Sequence, residues 1–339
     1  MSNKIAVIGG GSWGTALAIS LSGNGHMIKL WDVDKTHLNE LSRNRENVRY
    51  LPKVKFPDNL QVSFSAEEAI NGSDIVLFSV PTQHFRSALE GAIPYLDPKM
   101  ILVNVAKGIE QKSLKRISEI TYEKLPDARF VVVSGPSHAE EVGKGLPTTV
   151  VAASNDSELA ETIQDVFMSE SLRVYTNSDV IGVELGGALK NIIALGAGIS
   201  DGMGYGDNAK AALMTRGITE IARLGVKLGA NLNTFSGLAG IGDLIVTCTS
   251  IHSRNRRCGI MIGAGMKPSE ATKKVGMVVE GIYTTEAAYQ LAQKVNVEMP
   301  ITEHIYNVIN GKIDARDAVR SLMGRPRKHE TEDLFTTSI

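Results

Sequence analysis

The chain has 339 residues, enough for two domains with separate cores, and 43% of them are hydrophobic. Its 36 Lys and Arg nearly balance 37 Asp and Glu, which argues against a general role in binding nucleic acid or membrane surfaces. With only Cys248 and Cys258, neither a disulfide framework nor a metal site is predicted. The N-terminal apolar stretch is too short for a signal peptide, and no apolar run approaches membrane-spanning length. We therefore expect a cytoplasmic protein without an integral membrane segment.

The chain opens with a short apolar strand pattern that runs into a glycine-rich turn. Gly9, Gly11 and Gly14 match G-x-G-x-x-G, a helical pattern follows, and the next predicted strand ends at Asp32. In dinucleotide-binding folds such glycines form a tight turn, admit the pyrophosphate and let the helix pack closely on the strand. An acid at the end of the second strand accepts hydrogen bonds from ribose hydroxyls. These four residues are predicted to bind a dinucleotide, with a purely structural glycine turn as the alternative.

Strand and helix patterns alternate through the first half of the chain. Several strands are continuous runs of Val, Ile and Leu, as expected for strands buried on both faces of a parallel sheet. The alternation predicts a Rossmann-like, doubly wound, mostly parallel α/β domain over residues 1–178. The predicted strands are Ile5–Ile8, Met27–Trp31, Gln61–Phe64, Ile75–Val80, Ile101–Val105, Phe130–Ser134, Thr148–Ala152 and Leu172–Tyr175. Helices are predicted at Lys35–Arg45 and Ser113–Lys124, and a long loop at Arg45–Asn59, which contains two prolines.

The amino-acid composition changes near Asp179, where runs of β-branched residues give way to Ala, Leu, Met and Gly at helical spacing. This change predicts an all-α C-terminal domain over residues 179–339, which would carry the substrate and catalytic groups. The predicted helices are Ile181–Ile199, Asn208–Leu228, Thr284–Val295 and Ile301–Asn310.

Candidate ligand contacts follow two predicted strands of the first domain. Ligands in open parallel sheets bind beyond the carboxyl ends of the strands. Lys107 follows one such strand, and Gly135, Ser137 and Ala139 follow the next. Lys107 is expected in the ligand crevice, with a solvated loop lysine as the alternative. The three small residues either line a cofactor or form an ordinary helix start with Ser137 as N-cap.

A lysine stands alone in the first predicted helix of the second domain. Gly186 and Gly187 cost that helix roughly 1 kcal/mol each relative to alanine, which is easiest to explain if another segment packs closely there. Lys190, followed by Asn191, is the only cation in the long apolar stretch. Its side chain either reaches solvent or is buried for a function. A buried ammonium can exchange a proton near neutral pH.

Glycines around Asp243 precede a basic run, Ser253-Arg-Asn-Arg-Arg257. This order of residues suits an anion site, because an arginine can bind a phosphate through two parallel hydrogen bonds. A basic surface loop is the alternative.

These motifs together resemble those of the bacterial type of NAD(P)-dependent sn-glycerol-3-phosphate dehydrogenases, over nearly the whole chain. The resemblance implies that the chain interconverts dihydroxyacetone phosphate and sn-glycerol 3-phosphate with NAD or NADP, supplying the glycerol backbone of phospholipids. The matching segments are GGGSWGTALA (9–18), AKG (106–108), SGPSHAEE (134–141), GGALKNIIALGAGISDG (186–202), GIGDLIVTCTS (240–250), SRNRR (253–257) and VVEG (278–281).

The resemblance also implies roles for individual residues. Lys190 would be the proton donor and acceptor, and the partner would be a phosphorylated small molecule. A homodimer is the expected assembly. Implied substrate contacts are Lys107, Gly135, Ser137, Lys190, Asn191, Asp243, Thr247, Ser253, Arg254 and Asn255. Implied cofactor contacts, besides Gly9, Gly11, Gly14 and Asp32, are Ser12, Trp13, Lys107, Ala139, Arg254, Val278 and Glu280.

Cofactor choice is the one departure from the family pattern. Many bacterial members carry His or Arg just after the second strand, suited to a 2′-phosphate, whereas this chain has Asp32-Val33-Asp34. A carboxylate there repels a 2′-phosphate. NADH is therefore predicted to be used at least as well as NADPH.

Two other functions stay open. Dehydrogenases of the β-hydroxyacid or 6-phosphogluconate kind also join a Rossmann domain to a helical domain with a catalytic lysine, but the run from Ser253 to Arg257 favours a glycerol-phosphate enzyme. A non-catalytic sensor of nicotinamide redox state would need no proton donor. The presence of Lys190, Asn191, Asp243 and Arg254 together argues against a sensor.

Overall fold

The computed structural model describes residues 2–327 and 329–330. The chain divides into two compact units, Met1–Glu184 and Leu185–Ile339. The division falls inside one continuous helix, Val180–Gly202. The functional domain limits at 178 and 179 stay a prediction.

The first unit is built on an eight-stranded sheet with the order β10-β9-β8-β7-β6-β1-β2-β5. Every neighbouring pair is parallel except β8 and β9, so the predicted doubly wound, mostly parallel sheet is confirmed. The strands β1 to β10 are Lys4–Ile8, Met27–Trp31, Glu46–Asn47, Leu51–Lys55, Leu60–Val62, Ile75–Phe78, Ile101–Asn104, Arg129–Ser134, Thr148–Ala153 and Leu172–Asn177. The helices α1 to α7 are Ser12–Gly23, Lys35–Asn44, Ala66–Ile70, Thr82–Ala92, Ile117–Lys124, Ala139–Val142 and Ser157–Phe167.

The strand order places the glycine-rich turn at the point where the direction of strand addition reverses. From β1 the chain builds outward through β2 to β5, and then returns to add β6 on the other side of β1. Ligands of such sheets bind beyond the carboxyl ends of the strands at this switch point. β1 and β6 are apolar and buried apart from Lys4, so the turn after β1 stands on a rigid base.

The segment predicted to be a long loop, Arg45–Asn59, instead contains an antiparallel hairpin. Strand β3 pairs with β4, with Glu46 opposite Lys55 and Asn47 opposite Leu51. The prediction was wrong because β3 has two residues, too few for a periodic pattern, and because Pro52 lies within β4. A proline can occupy a strand that has a free edge, as β4 does in this two-stranded ribbon.

The second unit is helical throughout its described part, as predicted. The helices α8 to α15 are Val180–Gly202, which begins in the first unit, Asp207–Lys227, Asp243–Thr249, Arg254–Gly263, Pro268–Val275, Glu280–Lys294, Pro300–Ile309 and Ala315–Met323. A 3₁₀ segment at Leu232–Ser236 and a π-helical segment at Leu238–Gly242 precede α10.

Helices α8 and α11 contact each other through their backbones. A Cβ added at Gly198 or Gly202 would lie 2.1 or 2.2 Å from a carbonyl oxygen of α11. Conversely, one at Gly259 or Gly263 would lie 2.2 Å from a carbonyl oxygen of α8. Four glycines at i, i+4 spacing therefore fix this crossing.

Helix α8 corrects one expectation about membranes. It has 23 residues and a mean hydropathy of 1.5 over its most apolar window, so it is long and apolar enough to span a bilayer. Glycines and the single lysine interrupt its apolar residues, which hid this length in the sequence. Because 89% of that window is buried inside the protein, α8 has the environment of a core helix.

Candidate active site

The glycine-rich turn between β1 and α1 has three glycines with different surroundings. Gly9 has φ +112°, and a Cβ there would lie 2.4 Å from the Ser79 carbonyl oxygen. A Cβ on Gly14 would lie 2.1 Å from the Gly9 carbonyl oxygen, whereas one on Gly11 would meet nothing within 4 Å. Gly9 and Gly14 are thus required by the turn and by helix packing, and Gly11 leaves open space above the turn.

The first turn of α1 fits a phosphate group. Its N-cap is Gly11, which makes no side-chain cap bond, and its first turn has no acidic residue. The backbone N–H groups of Ser12 and Trp13 belong to this turn, and such groups bind anions at helix N-termini. The buried Nε1 of Trp13 also has no hydrogen-bond partner among the described residues. The residues present therefore fit the pyrophosphate of a dinucleotide.

Three side chains from outside the glycine motif hold its backbone at Gly10. Asn47 Nδ2 donates to the Gly10 carbonyl oxygen at 2.9 Å, and His37 Nε2 lies 2.9 Å from the same oxygen. The Gly10 N–H donates to Asp32 Oδ2 at 2.7 Å. Asp32 thus lies beside the turn, as predicted, although its contact with a ribose stays a prediction. Asn47 and His37 have no motif around them that could have identified them in the sequence.

The candidate contacts after β7 and β8 come together. Lys107 Nζ donates to the Gly135 carbonyl oxygen at 2.8 Å and lies 3.4 Å from Ser137 Oγ. Gly135 has φ +135°, a conformation that favours glycine. Ala139 is buried and begins α6, whose N-cap is His138. The alternative that Ser137 is an ordinary N-cap is therefore wrong.

Lys190 is buried, with 6% of its surface exposed, so the alternative of a lysine reaching solvent is wrong. Its Nζ lies 2.6 Å from Asp243 Oδ1 and 2.6 Å from Thr247 Oγ1. The Thr247 hydroxyl also donates to the Asp243 carbonyl oxygen at 2.6 Å. Asp243 begins α10 and Thr247 follows one turn later, so both face the lysine from one side of that helix. The ammonium is held in one orientation by a carboxylate and a hydroxyl.

Another segment packs closely against α8 at Gly186, as the sequence predicted. A Cβ there would lie 2.5 Å from the carbonyl oxygen of Ala239, in the π-helical segment that leads into α10. Single π-helical turns inside helices are frequent at functional sites. The close approach of α8 to this segment brings the start of α10 to Lys190.

Asn191 and Asn255 form a second cluster, which joins the starts of two helices to α8. Asn255 Nδ2 donates to Asn191 Oδ1 at 2.8 Å, and the Gly281 N–H donates to Asn255 Oδ1 at 2.9 Å. A Cβ on Gly281 would lie 2.7 Å from the Asn191 carbonyl oxygen. Asn255 lies at the start of α11, and Gly281 follows Glu280, the first residue of α13.

The basic run forms the start of α11, not a surface loop. Ser253 is the N-cap and accepts a hydrogen bond from the Arg256 N–H at 3.2 Å. Arg254 Nη1 donates to the Val278 carbonyl oxygen at 3.0 Å. Arg256 donates through Nε to Asp201 Oδ2 at 2.8 Å, and its Nη2 lies 2.8 Å from the same oxygen, near the end of α8. Neighbouring arginines of one run thus have different partners, which the sequence did not distinguish.

No metal centre is formed by residues 2–327 and 329–330, in which no three His, Cys, Asp or Glu side chains are grouped to hold an ion. Cys248, next to Thr247, is buried, and burial raises the pKa of its thiol to about 12. A neutral thiol is a weak nucleophile. The ion pair of this cluster is that of Lys190 and Asp243.

Comparisons with known proteins identify the family of the chain. The family model for the NAD-dependent glycerol-3-phosphate dehydrogenase N-terminus matches residues 4–160, and the model for the C-terminus matches residues 179–320. Proteins named glycerol-3-phosphate dehydrogenase (NAD(P)+) are 53% identical in Bacillus velezensis and 52% identical in Bacillus subtilis, over 98% of both chains in each comparison. The crystal structure of glycerol-3-phosphate dehydrogenase from Coxiella burnetii has a TM-score of 0.93 at 39% identity, covering 96% of this chain and 99% of that one. The chain therefore belongs to the NAD-dependent glycerol-3-phosphate dehydrogenase family.

Proposed function

We propose that this chain interconverts dihydroxyacetone phosphate and sn-glycerol 3-phosphate with NAD or NADP and supplies glycerol 3-phosphate for phospholipid synthesis. Family membership supports the activity. The observation that carries the mechanism is the buried cluster of Lys190, Asp243 and Thr247.

The proposed cofactor contacts in the first unit are mainly backbone groups. The N–H groups at the start of α1 would bind the pyrophosphate, because no side chain caps them and the space above Gly11 is open. When bound, the nicotinamide supplies or accepts the hydride. The proposed cofactor-binding residues are Gly9, Gly11, Ser12, Trp13, Gly14, Asp32, Lys107, Ala139, Arg254, Val278 and Glu280.

Lys190 is the proposed proton donor and acceptor. Reduction of the ketone leaves negative charge on the substrate oxygen, and an ammonium both stabilises that charge and donates the proton. In the oxidation direction the neutral amine takes the proton back. Asp243 and Thr247 position Nζ, so the lysine side chain loses little conformational entropy when it adopts the reactive orientation.

Arg254 and the N-terminus of α11 are the proposed phosphate site. The helix has ten residues, its first turn carries no acid, and Arg254 stands at its first position. Asn255 holds this helix start against Asn191 and Gly281. The other proposed substrate contacts are Lys107, Gly135, Ser137, Lys190, Asn191, Asp243, Thr247 and Ser253.

We also propose a cytoplasmic homodimer that binds neither nucleic acid nor membrane and that uses NADH at least as well as NADPH. The net charge of −1 and the burial of α8 support the expected lack of binding to nucleic acid and membranes. The two acids after β2, Asp32 and Asp34, support the use of NADH. Light scattering of the purified protein measures the assembly.

Turnover of dihydroxyacetone phosphate, followed by the absorbance of NADH or NADPH, tests the proposed reaction. We expect oxidation of NADH or NADPH with dihydroxyacetone phosphate, and no reduction of NAD or NADP with 3-hydroxypropionate or 6-phosphogluconate. Turnover of either hydroxyacid in place of the triose phosphate would favour the rival dehydrogenases. Cofactor binding without turnover of any of these substrates would favour a redox sensor.

A further inference from the structure

The two carboxylates after β2 already have partners in the protein. Asp32 accepts the Gly10 N–H on one oxygen at 2.7 Å and the Asp34 N–H on the other at 2.9 Å. Asp34 is the N-cap of α2 and accepts the N–H groups of Thr36 and His37 at 2.9 and 3.1 Å. The negative charge at this end of β2 is therefore partly offset by backbone donors, which weakens its repulsion of a second anion.

The β3–β4 hairpin is anchored beside the same place. Asn47, which is fully buried, donates to the Gly10 carbonyl oxygen at 2.9 Å and to Thr15 Oγ1 at 2.8 Å. The Tyr50 N–H donates to Asn47 Oδ1 at 3.0 Å, and the Tyr50 ring meets the His37 ring edge-on with centroids 5.1 Å apart. The turn between Asn47 and Tyr50 is thus held close to the glycine-rich turn.

This hairpin turn brings a cation to the end of β2. Arg49 Nη1 lies 3.5 Å from Asp34 Oδ2, and its guanidinium lies 5.0 Å from the centroid of the Tyr50 ring. The Arg49 side chain is 56% exposed, so it can change partner while Asn47 keeps the hairpin in place. In the sequence the first cations after Asp32 are Lys35 and Arg43.

We propose that Arg49 binds the adenosine 2′-phosphate of NADP(H) and determines how well this chain uses the phosphorylated cofactor. The proposal rests on the proposed function, because it requires a dinucleotide on the turn from Gly9 to Gly14. Arginine can pair with a phosphate through two parallel hydrogen bonds. That interaction is stronger than the exposed ion pair between Arg49 and Asp34 at 3.5 Å. With NAD(H) bound, Arg49 stays on Asp34. With NADP(H) bound, it moves to the 2′-phosphate, so both cofactors are accepted despite the two acids.

Equilibrium binding of NADPH and NADH without substrate tests this role. The only tryptophans of the chain, Trp13 and Trp31, lie in the first turn of α1 and at the end of β2, so quenching of their fluorescence reports binding. We expect Arg49→Gln to raise the Kd for NADPH on the order of tenfold, as for loss of a charged hydrogen bond. The Kd for NADH should change less than about twofold, since NADH makes no such bond.

Arg43→Gln is the matched control, because it removes the same charge from an exposed position of α2. We expect it to change neither Kd. Asp34→Asn keeps the N-cap, because asparagine caps helices as well as aspartate does. It also frees Arg49 from its carboxylate, so we expect tighter NADPH binding, and that gain should vanish in Asp34→Asn/Arg49→Gln.

The possible results separate this proposal from the proposed function. Equal weakening of NADPH and NADH by Arg49→Gln, or an NADPH-specific loss with Arg43→Gln or Lys35→Gln instead, would overturn the role of Arg49. Binding of NADH but not NADPH by the unmodified protein would overturn it too. If the unmodified protein bound neither nucleotide, the dinucleotide site itself would be contradicted, and with it the proposed function. Arg49→Lys, which keeps the charge but loses the paired donors, should weaken NADPH binding less than Arg49→Gln.

Discussion

The candidate sites of the two units are built from different parts of the chain. In the first unit the turn from Gly9 to Gly14 presents backbone N–H groups, and its shape depends on the absence of side chains at a few positions. In the second unit the groups are side chains from separate helices, such as Lys190 with Asp243, which are 53 positions apart. A backbone site depends on local steric limits, whereas a side-chain site depends on how helices cross.

Two helix starts of the second unit contrast in the same way with the start of α2 in the first unit. Asp34 caps α2 through N–H groups two and three residues away. In the second unit, Asn255 accepts the Gly281 N–H at the start of α13, and Glu220 on α9 accepts the Ile301 N–H at the start of α14, at 2.6 Å. These two helix starts therefore depend on residues far along the chain, whereas Ser253 caps α11 locally.

The largest effect is expected from removing the lysine of the second unit. Lys190→Ala should lower turnover by about 10²- to 10⁴-fold, the range for a positioned acid–base group. Binding of NADH, read by tryptophan fluorescence, should change little if the first unit holds the cofactor mainly through backbone. Steady-state rates with dihydroxyacetone phosphate check the first expectation.

Two companion variants keep that result interpretable. Lys190→Ala leaves Asp243 buried without its ion pair, which costs roughly 3–5 kcal/mol of stability. Lys190→Ala/Asp243→Asn removes the uncompensated charge and should melt at a higher temperature while staying inactive. Lys227→Ala, an exposed lysine on α9, should keep full activity. Turnover of Lys190→Ala within a few fold of the unmodified protein would exclude the lysine as the proton donor.

A large pH effect is expected where Glu220 holds the start of α14. Burial raises the pKa of Glu220 to about 7, against the N–H groups of Ile301 and Thr302, which lower it. The folded state therefore favours the protonated form, so this contribution to stability is full below pH 4.5 and is lost as the pH rises through 7. Across that range the loss is roughly 3 kcal/mol, at about 1.4 kcal/mol per pH unit.

Glu220→Gln should remove that dependence, because its amide stays neutral and its oxygen still accepts an N–H. Denaturant unfolding at pH 5 and pH 8 measures the effect as the difference in unfolding free energy between the variant and the unmodified protein. The variant should gain stability relative to the unmodified protein at pH 8. Equal differences at the two pH values would mean that Glu220 is ionised throughout in the folded protein.

A smaller effect is expected at the phosphate of the substrate. Arg254→Ala should weaken binding of dihydroxyacetone phosphate by about tenfold to a hundredfold, the value of a charged hydrogen-bond pair of roughly 1.5–3 kcal/mol. Unphosphorylated dihydroxyacetone should be affected much less. Arg257→Ala, an exposed arginine of the same helix, is the control. If KM rises equally for both substrates, Arg254 does not hold the phosphate.

The smallest effects compare two glycines of the first unit. Gly11→Ala places a methyl group in open space, so stability should hold while the Kd for NADH rises about tenfold, since crowding costs roughly 1–3 kcal/mol. Gly14→Ala places it 2.1 Å from a backbone oxygen, so unfolding free energy should fall by at least about 1–3 kcal/mol. Thermal melts and NADH titrations, with Gly23→Ala as the control in open space, distinguish the two. Unchanged NADH binding in Gly11→Ala would show that the pyrophosphate does not bind at this turn.

The sequence by itself determined the features that depend on neighbouring residues. The apolar runs of β1, β6 and β7 predicted a buried parallel sheet, and the order of strand, glycines and helix predicted the turn after β1. Both predictions rest on short-range sterics and on hydrophobic periodicity, which any local segment carries. The burial of Lys190 could not be predicted from such local patterns. The apolar sequence around it is equally compatible with a lysine side chain that reaches solvent.

Only the tertiary structure decided which distant side chains meet. Lys190 reaches Asp243 because α8 approaches the π-helical segment at Gly186, and Asn255 reaches Asn191 where α11 crosses α8 on four glycines. Arg49 reaches Asp34 because Asn47 anchors a hairpin with too few residues to show a pattern. Each of these contacts spans separate elements, and the angle and distance at which elements pack are set by the whole core and not by the residues of either element.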